Sequence, residues 1–413
     1  METAASLHKF KVSQLDSGTR ARTGTWRIGD KRLETPVLWL GYRLGSSPKP
    51  WEFLDIDSII VNAHEMLSDK ARLKKIEDEG IHSYLGFNGA VVIDSGGFLF
   101  LRRANLSIDV TRLMEVYERS RPMIGVVLDY PFDPFASRIE NESRWARTLE
   151  NTRAMLGGNG SIPLMPVIHG YTLSDIARAC DAIEELSEVD MIGMGSIVPL
   201  MKGINGQINF LETNDSKPSY TERQDRVDSP KYSSRHFVVD AVKFVRKRFP
   251  DAMLHVFGVG GTTTMHLMLA LGVDSLDSIG WRIKAGHGAI QLPGTGDRFL
   301  SPRDHRRVQR RLLDDGEKTI LSQCECPICI GRELPERIRA LDRSFENRAL
   351  HNAWTYLEEL RQFKQCLQHK NLYQFIDSRM RCGALRQLYP LVLRDIKESP
   401  PAKAIRGSNH AQE

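Results

Sequence analysis

Five residues with side chains or backbone suited to chemistry stand at or just after the ends of short apolar runs. They are Asp94, Asp129, His169, Gly195 and Asp277. Carboxylates and imidazoles gathered in one pocket can act as nucleophile, general acid and general base. Asp and Gly are also common turn residues, so any one of them could simply end a strand. All five together predict a shared site, provided that the ends of these runs meet in space.

A second group of reactive side chains is formed by cysteines. The stretch "QCECPICIG" places Cys324, Cys326 and Cys329 within six residues. Three thiolates at this spacing can bind one soft cation, and a tetrahedral zinc needs a fourth ligand, for which His351 is the candidate and His305 the alternative. A complete Cys3His shell predicts one structural Zn²⁺ per chain. The cysteines could instead be free buried thiols, which this spacing makes the weaker interpretation.

Short apolar runs alternate with segments of helical periodicity. The helical pattern is clear at 109–120, 172–187 and 235–249, and the first two carry Asp or Thr near their starts. Such alternation over about 230 residues predicts a parallel α/β fold, and seven or eight strands favour a (β/α)8 TIM barrel. In that fold the carboxyl ends of the strands form one mouth, where the five residues would meet. The apolar runs are 58–63, 90–94, 124–129, 164–170, 191–196, 254–260 and 274–280.

The pattern divides the chain into three parts. We expect a catalytic barrel over residues 1–320, a zinc-binding subdomain over 321–360, and a helical, basic segment with a disordered tail over 361–413. Residues 202–234 are polar and interrupt the barrel pattern. A segment of that length predicts a lid, a binding loop or plain disorder.

Composition constrains the location and the partners only weakly. The 413-residue chain has 57 Lys and Arg against 52 Asp and Glu, a net charge of +5 that is compatible with a polyanionic partner. No apolar run approaches the ~20 residues needed to span a bilayer. The first residues lack the apolar stretch of a signal peptide. We therefore expect a cytoplasmic protein with no membrane contact.

Several separated motifs resemble the tRNA-guanine transglycosylase superfamily. The stretch "DSGGF" at 94–98 matches the family signature, and the cysteine spacing followed by "HN" matches its zinc subdomain. "LDSIG" falls on the segment of the nucleophilic aspartate, "VVLDYP" on the base-recognising aspartate, and "GSIVPLM" on an archaeal-type glycine loop. The resemblance implies a barrel enzyme, a pentosyltransferase that exchanges a purine-like base in an intact nucleic acid.

The resemblance also implies a role for each site residue. Asp277 would attack C1′ and hold the sugar covalently, and Asp94 would be the general acid and base. Two carboxylates fit an exchange with retention, which needs two displacements. Asp129 would accept hydrogen bonds from a guanine-like edge, and bare glycine backbone and a phenylalanine ring would lie against the base. The expected base-binding residues are Ser95, Gly96, Gly97, Phe98, Asp129, His169, Gly195 and Ser196.

Departures from the family pattern bear on the polymer. Leu99 and His169 stand where the family usually has glutamine, and "SIGWRIKAGHG" replaces a Pro-Thr-Arg motif that follows the nucleophile. The chain after His351 is short for the RNA-binding domains of archaeal enzymes. These features resemble the DpdA-like branch, which inserts a 7-deazaguanine base into DNA. The main prediction is therefore exchange of guanine for a 7-deazaguanine, with preQ0 as the expected free base, in DNA.

The expected nucleic-acid contacts lie beside the nucleophile and before the cysteines. Trp281 and Arg282 would stack on a base and pair with a phosphate, and the basic segment of Arg303, Arg306 and Arg307 would contact phosphates or form a solvated helix face. Extraction of a base from a duplex costs unpairing energy, so a helper ATPase is a candidate partner, as is a second copy in a homodimer. The alternatives are base exchange in tRNA and a non-catalytic nucleic-acid-binding subunit, although the presence of both carboxylates argues against the latter.

Overall fold

The computed structural model describes residues 8–29, 31–97, 108–158, 160–203, 233–302, 311–380 and 383–394. Within these ranges, none of the helices combines the length and the apolar composition needed to cross a bilayer.

The chain begins with a three-stranded antiparallel sheet of β1 (His8–Leu15), β2 (Arg22–Ile28) and β3 (Lys31–Thr35), with β2 in the middle. Side chains along β2 alternate between buried and less buried positions, as expected for a sheet with one covered face. Trp26 of β2 packs edge to face on Trp39 of the barrel, with ring centroids 6.2 Å apart. The sequence analysis placed these residues in the barrel, whereas they form a separate sheet packed on it.

The barrel itself is a parallel sheet of nine strand segments. They are β4 (Val37–Gly41), β5 (Ser58–Asn62), β6 (Ala90–Asp94), β7 (Ile124–Val126), β8 (Leu164–Met165), β9 (Val167–Ile168), β10 (Met191–Met194), β11 (Met253–Val256) and β12 (Ser275–Ser278). Their order in the sheet is β8-β7-β6-β5-β4-β12-β11-β10-β9.

The two end strands, β8 and β9, lie on either side of Pro166, which has no amide hydrogen to donate. They are two halves of one strand, since β8 pairs with β7 and β9 pairs with β10. The sheet therefore closes into an eight-stranded barrel, which confirms the predicted fold class.

The sequence analysis missed one barrel strand, β4. Its run "VLWLG" is fully buried, yet it follows β3 after only Pro36, with no helix between them. Strand–helix alternation therefore could not reveal it. Each of the seven predicted apolar runs overlaps a barrel strand or, at Pro166, the two halves of one.

Helices connect the strands and cover the barrel. The three predicted helices are confirmed at Val110–Ser120, Leu173–Glu184 and Ser234–Arg248. Asp109 and Thr172 cap the first two, because their side chains accept hydrogen bonds from backbone amides of the first turn. Further helices of this part are Ala63–Leu67, Lys70–Glu79, Ile81–Leu85, Arg138–Leu156, Ile197–Lys202, Met265–Ala270 and Gly280–Gly286, with a 3₁₀ turn at Pro50–Glu52.

The C-terminal part is helical, and the boundary predicted between residues 360 and 361 falls inside the single helix Phe345–Gln368. Residues beyond that boundary pack into the barrel's largest apolar cluster, Phe363 and Phe375 among them. Of the predicted polar segment, residues 204–232 lie outside the described residues, as does the tail after 394. The remaining elements are β13 (Ala289–Ile290), β14 (Arg298–Phe299), and the helices Asp315–Ser322, Leu334–Arg343, Leu372–Arg379, Gly383–Arg386 and Tyr389–Arg394.

Asp274 ties the N-terminal sheet to the barrel. It is 0% exposed, and its carboxylate lies 2.7 Å from Nε of Arg22 on β2 and 2.7 Å from Nη2 of Arg246. The Leu254 amide also donates to it at 2.9 Å. Removal of one member of a buried ion network leaves the other charges without a partner, which is costly.

Asp274→Ala should therefore lower the free energy of unfolding by about 3–5 kcal/mol, measured by urea denaturation. Asp181→Ala is the matched control, because Asp181 makes an exposed ion pair with Arg248 at 2.9 Å. That control should cost less than about 1 kcal/mol. Equal losses in the two variants would contradict the anchoring role of Asp274.

Candidate active site and metal centre

The carboxyl ends of the barrel strands bring the five predicted residues to one mouth. Asp94 is the last residue of β6, Asp129 follows β7, and Asp277 lies in β12. His169 follows β9, and Gly195 follows β10. The sequence prediction that strand ends would gather these groups is confirmed by this arrangement.

Asp94 occupies a position that favours its protonated form. Burial first, and then the negative charges of Asp129 and Asp277, raise the pKa of Asp94 from 3.8 to about 8. Its Oδ2 accepts a hydrogen bond of 2.8 Å from Nδ2 of Asn62, the residue paired with it on β5. Asn62 cannot flip freely, because its Oδ1 accepts from the His64 amide at the start of a helix. Sequence reasoning missed Asn62, although it lies in the run "SIIVNA" and is the last residue of β5.

Asp129 is held by the signature stretch. The Ser95 hydroxyl donates to its Oδ1 at 3.0 Å. A Cβ atom on Gly97 would collide with the Asp129 carboxylate and would lie 2.6 Å from the Asp129 carbonyl oxygen. Gly96 has a φ of +91°, and a Cβ there would lie 3.0 Å from Asn62 Oδ1. The structure thus gives these glycines a reason other than the predicted contact with a base: they let the acidic strand ends pack together.

His169 lies beneath Asp129 and faces its carboxylate. Its Nδ1 lies 2.9 Å from Oγ of Ser196, and that Oγ accepts the Phe132 amide at 2.8 Å. The Ser196 hydroxyl keeps its own proton, which is available to Nδ1 of His169. Nε2 lies 2.9 Å from Asp129 Oδ2, without the alignment of a regular hydrogen bond. With its side chain 0% exposed, His169 is placed to orient Asp129 and has little surface left for a ligand.

The loop after β10 is shaped by this histidine. Ser196 adopts a left-handed backbone with φ of +63°, and a Cβ on Gly195 would lie 2.7 Å from Nδ1 of His169. Close approach of the imidazole explains the glycine in physical terms. The predicted residues Gly195 and Ser196 are therefore at the mouth and in contact with the predicted pocket residue His169.

Asp277 is oriented by backbone at the end of β12. The Gly258 amide donates to its Oδ1 at 2.6 Å. A Cβ on Gly260 would lie 2.8 Å from the Asp277 carbonyl oxygen, so the loop after β11 can approach the Asp277 backbone closely because residue 260 has no side chain. The sequence run "VFGVGG" did not suggest this contact.

Two residues beside Asp277, Trp281 and Arg282, were predicted to contact nucleic acid. The structure contradicts the contact predicted for Trp281 and leaves that of Arg282 as a prediction. Trp281 is 0% exposed and its indole Nε1 donates to the Gly41 carbonyl at 2.9 Å, so the expected stacking contact is wrong. The helix Gly280–Gly286 turns this ring inward. Arg282 is partly exposed, donates to the Ser47 carbonyl, and lies over the Phe345 ring at 4.9 Å. Five further residues named in the sequence analysis lie outside the described residues. They are Phe98, Arg303, Arg306, Arg307 and the alternative metal ligand His305.

The cysteine cluster has the geometry of a zinc site. Ligand atoms of Cys324, Cys326, Cys329 and His351 all lie within 4.8 Å of one another. The three Sγ atoms are 3.6, 3.4 and 3.7 Å from Nδ1 of His351. Tetrahedral zinc with ordinary bond lengths requires about 3.5 Å between a sulfur and a nitrogen ligand. The residues therefore fit one Zn²⁺, with His351 as the fourth ligand.

Contacts around the cluster join it to the barrel mouth. Nε2 of His351 lies 3.0 Å from the Gln291 carbonyl, which fixes Nδ1 as the atom that faces the sulfurs. The next residue, Asn352, donates to the carbonyls of Trp281 and Ala289 at 3.1 Å each. A metal at this cluster would thus hold the helix that braces the segment directly after Asp277.

Cys326→Ser should remove the zinc, because a serine hydroxyl is a poor zinc ligand. We expect the metal content to fall from about one ion per chain to near zero and the melting temperature to drop by several degrees, measured by atomic absorption and calorimetry. Cys366→Ser is the control, since Cys366 is a partly exposed free cysteine outside the cluster. Unchanged metal content in Cys326→Ser would show that the cluster holds no zinc.

The raised pKa of Asp94 has a measurable effect on stability. Between about pH 4 and 8 the folded protein keeps this proton while the unfolded chain, with a pKa of 3.8, releases it. This group therefore makes stability fall as the pH rises through that interval. Asp94→Asn should flatten the fall in urea unfolding experiments at successive pH values, and Asp55→Asn, at an exposed aspartate, should not. The same slope in all three proteins would mean that Asp94 ionises normally.

Comparisons with known proteins agree with this arrangement. The family model described as "TGT: Queuine tRNA-ribosyltransferase" matches residues 16–217 and 227–383. The chain is 27% identical over 386 residues to the tRNA-guanine(15) transglycosylase of Pyrococcus abyssi, covering 92% of this chain and 58% of that protein. It is 23% identical over 386 residues to the Methanocaldococcus jannaschii protein of the same name, covering 90% and 52%. The chain thus spans little more than half of these relatives. Because the family model matches most of its length, the chain belongs to the queuine tRNA-ribosyltransferase (TGT) family.

Proposed function

We propose that this chain is a transglycosylase that exchanges a guanine in a nucleic acid for a free base through a covalent sugar–aspartate intermediate. The observation that carries the proposal is the pairing of unlike carboxyl groups at one mouth. Burial and nearby carboxylates raise the pKa of Asp94 to about 8, while Oδ1 of Asp277 accepts a hydrogen bond from the Gly258 amide. One group is suited to give a proton and the other to attack carbon, as in other two-carboxylate exchanges with retention.

In the first step, an oxygen of Asp277 attacks C1′ of the target nucleotide. The C1′–N9 bond breaks, its electron pair leaves with guanine, and Asp94 gives its proton to the departing base. In the second step, Asp94 takes a proton from the incoming base, whose ring nitrogen attacks C1′ and expels the Asp277 carboxylate. Two inversions give net retention. The target nucleotide has to leave its stack to reach the mouth.

Base recognition would fall to Asp129. Its two oxygens are fixed by Ser95 and faced by His169, yet each carboxylate oxygen has a second lone pair. Those lone pairs can accept the N1–H and the exocyclic amine of a guanine-like edge. In this proposal His169 acts through Asp129, and the backbone near Gly195 and Ser196 meets the opposite edge of the base.

Zinc would have a structural role in this reaction. When bound, the ion would cross-link the cysteine loop to the helix Phe345–Gln368, with a full set of four protein ligands. The protein's own part is to hold Trp281 and its neighbours through Asn352, so that β12 ends where Asp277 can reach the sugar.

The polymer is better supported as tRNA than as DNA. The relatives named above are tRNA-guanine(15) transglycosylases, and they match 90% or more of this chain. The DNA-modifying interpretation with preQ0 rested on departures from the family pattern, and the Trp281 contact that its burial rules out was expected for either polymer. We therefore propose tRNA as the substrate, with free guanine or a 7-deazaguanine as the exchanging base, and keep DNA as the second arm of the test. The helper ATPase and the homodimer stay predictions without support from the described residues.

Purified protein incubated with radiolabelled guanine or preQ0 should transfer label into tRNA, and not into single-stranded or duplex DNA. Asp277→Asn should reduce transfer by at least about 10³-fold, because the nucleophile is lost. Asp181→Asn, at an exposed surface aspartate, should leave it unchanged. Label in DNA alone would establish the DNA reading, and full activity in Asp277→Asn would refute the assignment of the nucleophile.

A further inference from the structure

Beneath Asp277 lies a buried histidine that neither the motifs nor the proposed chemistry use. His255 is on β11 and is 1% exposed. Its neighbour in the parallel register is Ser275 on β12, two residues before Asp277. A buried histidine inside an apolar strand is often only packed, so its polar contacts decide whether it does more.

The contacts of His255 favour one position for its ring proton. Nε1 of Trp39 can only donate, and it donates to Oγ of Ser275 at 2.8 Å. The Ser275 hydroxyl keeps its own proton to donate, and Nδ1 of His255, 2.6 Å away, is placed to accept it. With Nδ1 as the acceptor, the proton of a neutral imidazole stands on Nε2.

That proton faces the nucleophile. Nε2 of His255 is buried, has no aligned hydrogen-bond partner, and lies 3.4 Å from Oδ1 of Asp277. The Gly258 amide donates to the same Oδ1 at 2.6 Å. Across the described part of the chain, no donor is recorded on the other oxygen, Oδ2. The Gly258 amide and Nε2 of His255 both lie on the side of Oδ1, so Oδ2 is the oxygen left free to attack.

An equivalent chain stands behind Asp129, on the neighbouring strand pair. There the Phe132 amide donates to Ser196, Ser196 faces Nδ1 of His169, and Nε2 of His169 faces the carboxylate. The same order of donor, serine, histidine and aspartate thus occurs twice at the mouth. Beneath Asp277 its members come from three adjacent strands, β4, β12 and β11.

We propose that His255 is a positioning residue for the nucleophile, in which Nε2–H holds Oδ1 of Asp277 so that Oδ2 is presented to C1′. This inference rests on the proposed role of Asp277. When Oδ2 bonds to C1′, Oδ1 becomes the carbonyl oxygen of the ester. When the incoming base expels the carboxylate, negative charge returns to Oδ1, where the histidine and the Gly258 amide stabilise it. Both half-reactions therefore use the same donor.

Two amide substitutions separate this role from simple packing. In His255→Gln the terminal NH₂ reaches the place of Nε2, so it can still donate to Asp277. In His255→Asn the amide reaches only the place of Nδ1, so it keeps the contact with Ser275 and loses the one with Asp277. With labelled guanine and tRNA, or whichever polymer the wild type labels, we expect His255→Asn to form the covalent adduct about 10- to 100-fold more slowly, the effect of one hydrogen bond to a charged group. His255→Gln should recover most of the rate.

If His255 were only packed, the Gln and Asn variants would lose activity to the same extent. The affinity for free guanine, measured by calorimetry, should be the same in both variants, since His255 is not placed against the base. Should His255→Asn unfold early, Ser275→Ala provides a milder variant that removes only the hydroxyl acting on Nδ1. Independently of activity, ¹⁵N spectra of labelled histidine should show His255 as the Nε2–H tautomer in the wild type; the Nδ1–H tautomer would overturn the inference.

The outcomes distinguish this inference from the proposed function. If the wild type exchanges guanine and His255→Asn does so at the same rate, the positioning role fails alone. If the wild type labels none of the polymers, the proposed function fails, and the positioning role fails with it. Equal losses in the Gln and Asn variants would assign His255 to packing.

Discussion

Closure of the barrel at Pro166 is the constraint on which the site depends. β8 and β9 lie on either side of this proline and pair with β7 and β10, so the sheet has no free edge within the barrel. β6 and β12 are separated by two strands, which on a flat sheet would place Asp94 and Asp277 roughly 14 Å apart. Curvature turns both side chains toward one axis, where the negative charge of Asp277 helps to raise the pKa of Asp94.

The mouth concentrates negative charge, and the protein handles each carboxyl group differently. Asp94 keeps its proton, because burial and two nearby carboxylates disfavour its charged form. Asp129 and Asp277 instead each have a donor, the Ser95 hydroxyl and the Gly258 amide, and each has a histidine beneath it. This division separates a proton donor from groups that accept hydrogen bonds or attack carbon. Like charges at close quarters thus produce the difference that acid–base chemistry requires.

The sequence predicted the ring of strand ends well, because the position of a polar residue after an apolar run is a local property. It could not predict which way a side chain turns or what meets it. The close contact of Gly97 with Asp129 was not expected from the sequence, and Trp281, expected outside, is buried. His255 stands inside an apolar strand, and its meaning depends on Ser275 and on Trp39, 216 positions earlier. Such contacts depend on how the barrel closes, and a local sequence pattern does not predict that closure.

The choice of polymer likewise depends on contacts that the fold creates. Of the pair expected to contact nucleic acid beside the nucleophile, only Arg282 remains available, and its guanidinium lies over Phe345. Phe345 begins the helix that carries the metal ligand His351, so the cysteine cluster helps to place this charge at the mouth. A guanidinium that meets phosphate fixes register without reading sequence or sugar. Arg282 would therefore serve tRNA and DNA alike, and discrimination must come from contacts to the 2′-hydroxyl or to the folded shape of the substrate.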